Sequence, residues 1–346
     1  MAAQRGKARQ SDIALSAGVS QTTVSLVLSG RVDGPVTISE ETRAKVLRAA
    51  AKLGYSPNIA AQRLAGGRTG LIGVYSFEPI FRSPNSWVYL PLLMGIEKEA
   101  EERGLDLVIF TSRSDDTTAS RIYSEGRNRM GLVDGSILLG RHGDTTELAR
   151  LARESFPFVY FGRRSPAGAD INWVSTDYTT GTKRVAEQVL AKGHRTLKYI
   201  GLADNLEPED DREEGFRLAM KATGLAAEVE RIEPTEITAS WLARQFRNGV
   251  TALILESPAL AQRLPEVAKE AQVSIPAELS VAVLGDLDHT EGDGVSWTGF
   301  SLDLQLLCGR VVEELVRVIA NPHAPAEHVL LPCTPVDGGT VAARYP

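Results

Sequence analysis

The protein has 346 residues, of which 43% are hydrophobic and 24% charged, and its formal net charge at pH 7 is −6. This length is enough for two or three domains with separate cores. No apolar run is long enough to span a bilayer, and the basic N-terminus MAAQRGKARQSD lacks the apolar segment of a signal peptide. The sequence therefore predicts a cytoplasmic protein with no membrane contact.

The charge is distributed unevenly along the chain. Residues 1–70 contain ten Lys or Arg and four Asp or Glu, which leaves 28 basic and 40 acidic residues in the remainder. The head therefore carries +6 and the body −12. A basic head on an acidic body indicates contact with a polyanion, although a solvated basic tail would show the same pattern.

The first part of the chain has helical spacing from Asp12 to Leu53. The turn residue Gly18 separates two short apolar seams, and the loop RVDGPVT follows the second. Ser39 is the expected N-cap of a third helix, which Gly54 ends. Three short helices in about sixty residues predict a separate small domain.

After Thr69, short apolar strands alternate with amphipathic helices. The predicted strands are LIGVY, LDLVIF, GSILLG, PFVYFG, LKYIGL, TALILE and SVAVLG. Repeated strand–helix units with buried strands predict parallel sheets with helices on both faces. The remaining length suits two such sheets, with a ligand cleft between them at the carboxyl ends of the strands.

The stretch GVSQTTVSLVLSG displays small polar side chains where helix surfaces usually carry Glu and Lys. A glycine turn between two short helices fits a helix-turn-helix, whose second helix enters the major groove of DNA. Gln can bond adenine, and Ser or Thr can bond bases or phosphates. The expected DNA-contacting residues on this helix are Ser20, Gln21, Thr22, Thr23 and Ser25.

The segments DIALSAGVSQTTVSLVLSG and ISEETRAKVLRAAAKLGYSPNIAAQRLAGGRTGLIGV resemble the head of the lactose-repressor (LacI/GalR) family of bacterial transcriptional regulators. Family-like motifs continue through the body in GIEKEAEERGLDLVIF, LVDGSILLG, KGHRTLKYIG, DREEGFRLAM and IPAELSVAVLGD. The resemblance implies a small all-α helix-turn-helix head and an α/β body similar to periplasmic sugar-binding proteins. It also implies a homodimer on a pseudo-palindromic double-stranded operator.

The resemblance further implies a division of the chain. The head would span residues 1–56, the hinge or linker 57–69, and the effector-binding and dimerisation domain 70–346. Within that domain the chain crosses between two subdomains. The N-subdomain would hold about 70–169 and 299–327, and the C-subdomain about 170–298 and 328–346.

In the family, the linker folds into a hinge helix on the operator and inserts a leucine into the minor groove. The matching residue is Leu64, with Asn58 and Gln62 on the same segment; an apolar wedge of this kind kinks the duplex. Leu64 could instead be a linker residue packed on the body. Leu26 stands where many members carry a basic residue, so it could touch a thymine methyl but not a guanine or phosphate.

Effector-binding positions follow from the resemblance for Arg212 and Trp241, and from their place after predicted strands for Tyr89, Phe77 and Arg163. Arg212 in DREEGF matches the family arginine that binds effector hydroxyls or a carboxylate, although an ion pair with Asp210, Glu213 or Glu214 would also account for it. Four other candidates could line the cleft, with ordinary packing as the alternative for the aromatic ones. These candidates are Trp241, Tyr89, Phe77 and Arg163.

Two departures weaken the usual sugar site. Ser257 and Pro258 replace the common Asn-Asp after TALILE, and Asp286-Leu287-Asp288 replaces an aromatic residue followed by two acids. Either Asp286 or Asp288 could take the hydroxyl-binding role. A carbohydrate or related polyol is the effector class that the family implies, while nucleosides and other small metabolites stay open.

The sequence thus predicts a DNA-binding regulator, in the commoner family behaviour a repressor, whose operator affinity a small molecule modulates. An enzyme is the first alternative, but the chain shows no GxSxG, HExxH or phosphate-binding glycine loop. The second alternative, a transporter's solute-binding protein, would leave residues 1–64 unexplained. Neither the five histidines nor Cys308 and Cys333 show metal-ligand spacing, so we expect buried cysteines, no metal, no cofactor and no catalytic residues.

Overall fold

The computed structural model describes residues 8–29, 38–55, 68–81, 86–111, 121–141, 143–204, 206–285 and 295–344. These residues form an N-terminal group of three helices and a larger α/β body. Across these ranges, no helix is long and apolar enough to cross a membrane.

The head consists of the helices α1 (Gln10–Ala17), α2 (Gln21–Ser29) and α3 (Glu40–Lys52). α1 ends at Gly18, whose φ of 66° is a left-handed conformation that glycine adopts without steric cost. The side chain of Ser39 caps α3 by accepting a hydrogen bond from the backbone N–H of Thr42 at 3.2 Å. The three helices bury a common core of Ile13, Val24, Val27, Val46, Ala49 and Ala50.

The body contains fourteen strands within the described ranges, two of which form a small hairpin. In chain order they are β1 (Leu71–Ser76), β2 (Asp106–Phe110), β3 (Tyr123–Ser124), β4 (Arg127–Asn128), β5 (Gly135–Leu139), β6 (Phe158–Phe161), β7 (Trp173–Thr176), β8 (Leu197–Leu202), β9 (Glu228–Ile232), β10 (Ala252–Leu255), β11 (Ser280–Val283), β12 (Thr298–Ser301), β13 (His328–Leu331) and β14 (Thr334–Val336). All seven predicted strands are present, and several short strands were not predicted.

Helices connect and cover these strands. They are α4 (Ser86–Glu102), α5 (Thr145–Arg153), α6 (Tyr178–Ala191), α7 (Glu207–Thr223), α8 (Ala239–Arg247), α9 (Pro258–Ala261), α10 (Leu264–Ala271) and α11 (Leu304–Ala320). The stretch PALAQRLPEVAKEA, expected as one helix, forms two because Pro265 lies at the start of the second.

The strands form two six-stranded sheets, as the alternation of strands and helices predicted. The first has the order β13-β7-β6-β5-β1-β2 and is parallel throughout. The second has the order β14-β12-β11-β10-β8-β9, in which β14 alone runs antiparallel to its neighbour. Each sheet is the centre of one subdomain.

The chain crosses between the subdomains three times, each time a few residues later than expected. β7 pairs in the first sheet, so the first crossing follows residue 176 rather than 170. β12 pairs in the second sheet, so the second crossing follows residue 301 rather than about 298. β13 pairs in the first sheet, so the third crossing follows residue 331 rather than about 327. Each of these strands completes its pairing before the chain leaves the sheet. The head–linker boundary stays a prediction, because residues 56–67 lie outside the described ranges.

Separate apolar clusters cover the two faces of each sheet. On the first sheet, α4 and α11 pack so closely that a Cβ on Gly95 would lie 2.6 Å from Sγ of Cys308. A Cβ on Gly181 would likewise lie 2.5 Å from Sγ of Cys333. Both cysteines are buried, as expected, and burial raises the pKa of each thiol to about 12.

Candidate functional site

The exposed surface of α2 carries the polar residues expected to contact DNA. Ser20, Gln21 and Thr22 are exposed, whereas Thr23 is half-buried. The Ser20 hydroxyl also accepts a hydrogen bond from the Thr23 backbone N–H at 3.0 Å, so this residue caps α2 as well. These side chains occupy the N-terminal turn, which in a helix-turn-helix is the part nearest the base edges.

The remaining predicted DNA contacts are less exposed or are not described. Ser25 and Leu26 are half-buried on α2. α2 has no acidic residue in its first turn and no basic one in its last. Asn58, Gln62 and Leu64 lie outside the described residues. The DNA contacts of all these side chains stay predictions.

A cavity of about 550 Å³ lies between the two subdomains. The first sheet contributes the segments that follow the carboxyl ends of β1, β5 and β6, where ligands of parallel sheets bind. The second sheet contributes the ends of β8, β10 and β11 together with the first turn of α7. The polar residues lining the cavity are Glu78, Arg141, Arg164, Ser175, Thr176, Asp204, Glu209, Arg212, Glu233 and Ser257.

Two of the predicted effector residues line this cavity. The Tyr89 hydroxyl donates a hydrogen bond of 2.5 Å to Oε2 of Glu78, and burial together with this carboxylate raises the tyrosine pKa. Arg212 is 8% exposed, and its guanidinium carbon lies 3.9 Å from the ring centroid of Tyr178. The ion-pair partner of Arg212 is Glu209, at 3.5 Å, and not one of the acids considered from the sequence.

Two aromatic residues predicted to contact the effector lie elsewhere. Phe77 is 1% exposed and packs against Tyr75 and Tyr160 in the core, because its side chain points into a helix-covered face of the sheet. Trp241 is also buried in a core cluster, where its indole N–H donates to Oε1 of Glu230 at 3.1 Å. Neither aromatic side chain lines the described cavity.

Arg163 lies beside the cavity and joins the subdomains. Its Nε and Nη2 donate to the two carboxylate oxygens of Asp211, at 2.9 and 2.7 Å. This hydrogen bonding raises the arginine pKa. The remaining candidates, Asp286 and Asp288, lie outside the described residues.

Sequence reasoning missed Arg141, Arg164 and Glu209, which are central to the cleft. Arg141 and Arg164 follow β5 and β6, and both contact the first turn of α7 across the subdomain boundary. Arg141 Nη1 donates to Oε1 of Glu209 at 2.8 Å, and Arg164 Nη1 lies 3.1 Å from Oε2 of Glu207. A polar residue after a buried strand was the available signal, but only the tertiary structure pairs residues so distant in sequence.

Within the described part of the chain, no group of three or more His, Cys, Asp or Glu could hold a metal ion. The residues lining the described cleft offer hydrogen-bond donors and acceptors, aromatic faces and paired charges. These groups suit reversible binding of a small polar molecule.

Family comparisons match almost the whole chain. Residues 11–58 match bacterial regulatory proteins of the lacI family, and residues 75–259 match the periplasmic binding proteins and sugar binding domain of the LacI family. Residues 186–341 match a periplasmic binding protein-like domain. These ranges cover the helical head and both subdomains.

Two curated relatives are named as regulators. The HTH-type transcriptional regulator CelR of Thermobifida fusca is 30% identical over 263 residues, which cover 74% of this chain and 70% of the relative. The maltose regulon regulatory protein MalI of Escherichia coli K12 is 28% identical over 250 residues, covering 72% and 69% of the two chains.

Solved structures share the fold. The lac repressor dimer bound to operator and the anti-inducer ONPF superposes with a TM-score of 0.70 at 22% identity, covering 98% of this chain and all of the other. A complex of CelR with cellobiose gives 0.60 at 23% identity, covering 96% and 100%. The helix-turn-helix head, the two-sheet body and these matches together place the chain in the LacI family of bacterial regulatory proteins, as a DNA-binding transcriptional regulator.

Proposed function

We propose that this chain is a homodimeric repressor whose operator affinity is controlled by a sugar-like effector bound between the subdomains. The observation that carries the proposal is the cleft of about 550 Å³, whose two walls belong to different subdomains. The same chain has a helix-turn-helix head. A ligand that contacts both walls changes their relative angle, and the linkers of a dimer follow that change. Effector and operator then alter each other's affinity by the same factor.

The effector proposal is supported by the chemistry of the cleft and by the relatives. The cavity volume falls within the usual range of small-molecule sites, and its walls combine apolar surface with a few polar groups. The names of two relatives refer to maltose and cellobiose. We propose that Tyr89 and Arg212 contact the sugar. Ser257 follows β10 and lines the wall formed by the second sheet. It offers one hydroxyl at the position where family members often present an amide and a carboxylate.

We propose that Gln21 and Thr22 contact base edges, with Ser20, Thr23, Ser25 and Leu26 alongside them and Leu64, Asn58 and Gln62 on the linker. The test begins with footprinting of the full-length protein on genomic DNA, followed by fluorescence anisotropy on the site found. Gln21→Ala should weaken specific binding by about tenfold, the value of one good base contact. Glu41→Gln on α3 is the control, because Glu41 is exposed and pairs only within its own helix, with Lys45.

A panel of mono- and disaccharides added to the protein–operator complex tests the effector. Release of DNA by one of them supports repression with induction, and a sugar that binds equally well with and without operator would contradict the coupling. We further propose that the sugar is not transformed. Chromatography of the sugar after incubation with the purified chain tests this, and any product would favour the enzyme alternative.

A further inference from the structure

We propose that the effector of this chain is an uncharged polyol or glycoside and not a sugar phosphate or sugar acid, and that Glu209 determines this selectivity. The inference rests on the proposed function, because it concerns the same cleft. It is argued from the charges of the described residues that line that cleft.

Each arginine in the described lining of the cavity already has a carboxylate partner. Arg141 contacts Glu209 at 2.8 Å and Asp204 at 3.5 Å, Arg164 contacts Glu207 at 3.1 Å, and Arg212 contacts Glu209 at 3.5 Å. An anionic effector would have to replace one of these carboxylates. Displacement of the buried Glu209 or the half-buried Glu207 would leave a carboxylate without its guanidinium partner.

Among the described residues, the lining of the cavity is slightly negative. Three guanidinium groups face four carboxylates, those of Glu78, Asp204, Glu209 and Glu233, which leaves one negative charge in excess. Charges in a partly desolvated cleft interact more strongly than in water, so this excess opposes an anion and leaves a neutral ligand unaffected.

Glu209 is the centre of this arrangement. It is 3% exposed, and its Oε1 accepts hydrogen bonds from both Arg141 and Arg212. Its Oε2 has no hydrogen-bond partner among the described residues, and neither has Nε of Arg212. A buried polar atom without a partner is costly, which indicates that a ligand completes the set.

A hydroxyl suits this pair of groups better than a phosphate or carboxylate does. A hydroxyl can donate to the Glu209 carboxylate and accept from the Arg212 guanidinium, because it is both donor and acceptor. Ionised phosphate and carboxylate oxygens only accept, so they would leave Oε2 of Glu209 without a donor and add a like charge beside it.

The N-terminus of α7 favours anions in general through the helix dipole. Here the first turn already carries Glu207, Glu209 and Asp210. These fixed carboxylates occupy the favourable position, so the dipole does not create an additional site for an anionic effector.

Isothermal titration of the full-length protein with matched sugar pairs tests the selectivity. The pairs are maltose with maltose 1-phosphate, glucose with glucuronate, and trehalose with trehalose 6-phosphate, each of which keeps its pyranose rings. A neutral member should bind at least about tenfold more tightly than its charged counterpart, as expected for one unfavourable charge contact. Equal or tighter binding by a charged member would overturn the inference and leave the sugar effector intact. Binding by no sugar, neutral or charged, would instead refute the proposed function.

Glu209→Gln tests the role of this residue, since glutamine keeps the shape and removes the charge. The variant should bind the charged member of the pair about tenfold more tightly and the neutral member more weakly. Glu214→Gln, on the exposed side of the same helix, is the control and should change neither. Thermal unfolding confirms that both variants fold. An unaltered charge preference in the folded Glu209→Gln protein would refute its role.

Discussion

The ion pair between Arg163 and Asp211 offers a direct test of how the subdomains are held together. Arg163 follows β6 of the first sheet, and Asp211 lies on α7 beside the second. Two charge-assisted hydrogen bonds of 2.9 and 2.7 Å join them, with side-chain exposures of 29% and 21%. Neither residue is among those that line the described cavity, so a substitution changes the contact between subdomains without removing an effector contact.

The expected effect follows from the geometry. A bidentate pair of this kind is stronger than a single exposed pair, but solvent screening and side-chain entropy reduce its net value to about 1 kcal/mol. The subdomains exchange between a closed arrangement, in which the two cavity walls are held together, and an open one. Destabilising the closed arrangement by about 1 kcal/mol changes the equilibrium constant between the two by roughly fivefold. Effector binding that uses both walls should weaken by the same factor.

The assay is a double-mutant cycle with Arg163→Gln, Asp211→Asn and the combination. Titration of a bound sugar gives the dissociation constant, and fluorescence transfer between labels on the two subdomains reports their separation. Asp211→Asn should lose up to about fivefold in affinity. Arg163→Gln should lose at least as much, because Arg163 Nη2 also donates to the backbone carbonyl of Glu207 at 3.3 Å, and the double variant should lose no more than Arg163→Gln alone. Arg310→Gln, which removes an exposed pair within α11, is the control.

Additive losses in the double variant would show that the two side chains act independently. Unchanged affinity and separation in folded single variants would refute the reasoning more broadly, because the pair would then contribute nothing to the contact between subdomains.

Three further predictions concern stability. Gly95→Ala should lower the free energy of unfolding by about 1–3 kcal/mol, because its Cβ would lie 2.6 Å from Sγ of Cys308. Urea denaturation measures this loss, and the double variant with Cys308→Ala should recover part of it. Burial raises the pKa of Glu256 above its ordinary value, so the folded state holds this proton more tightly and stability falls as pH rises from about 4.5 through the raised pKa. Glu256→Gln should flatten that decline in thermal unfolding against pH, and an unchanged profile would argue against burial as its cause. Ser39→Ala should destabilise the head by about 1 kcal/mol, because α3 loses its cap. The loss should appear as a lower melting temperature of the head. Ser39→Asp is the control, since aspartate can retain the cap.

Local patterns were sufficient for much of the fold. The head could be predicted because its glycine turn, cap and apolar spacing all lie within a few residues of each other. Ile13, Val24 and Val46 are buried as their spacing indicated. The strands with unbroken apolar runs were equally clear. The short strands β7 (WVST), β12 (TGFS) and β13 (HVLL) were missed because none of them has more than three consecutive apolar residues, too few to show a pattern. Missing them displaced all three predicted subdomain crossings.

The cleft was predicted less completely. Tyr89 and Arg212 line it, while Phe77 and Trp241 are core residues. The sequence did not separate these cases, because an aromatic side chain near a strand end fits a cleft or a core equally well.

By itself the sequence determined a DNA-binding head, two parallel sheets and a cleft at their strand ends, since these depend on periodicity and short-range turn chemistry. Only the tertiary structure decided that Arg141 and Arg164 meet the first turn of α7. Pairing of charges across some forty to seventy residues depends on how the two sheets face each other, and no local pattern encodes that geometry.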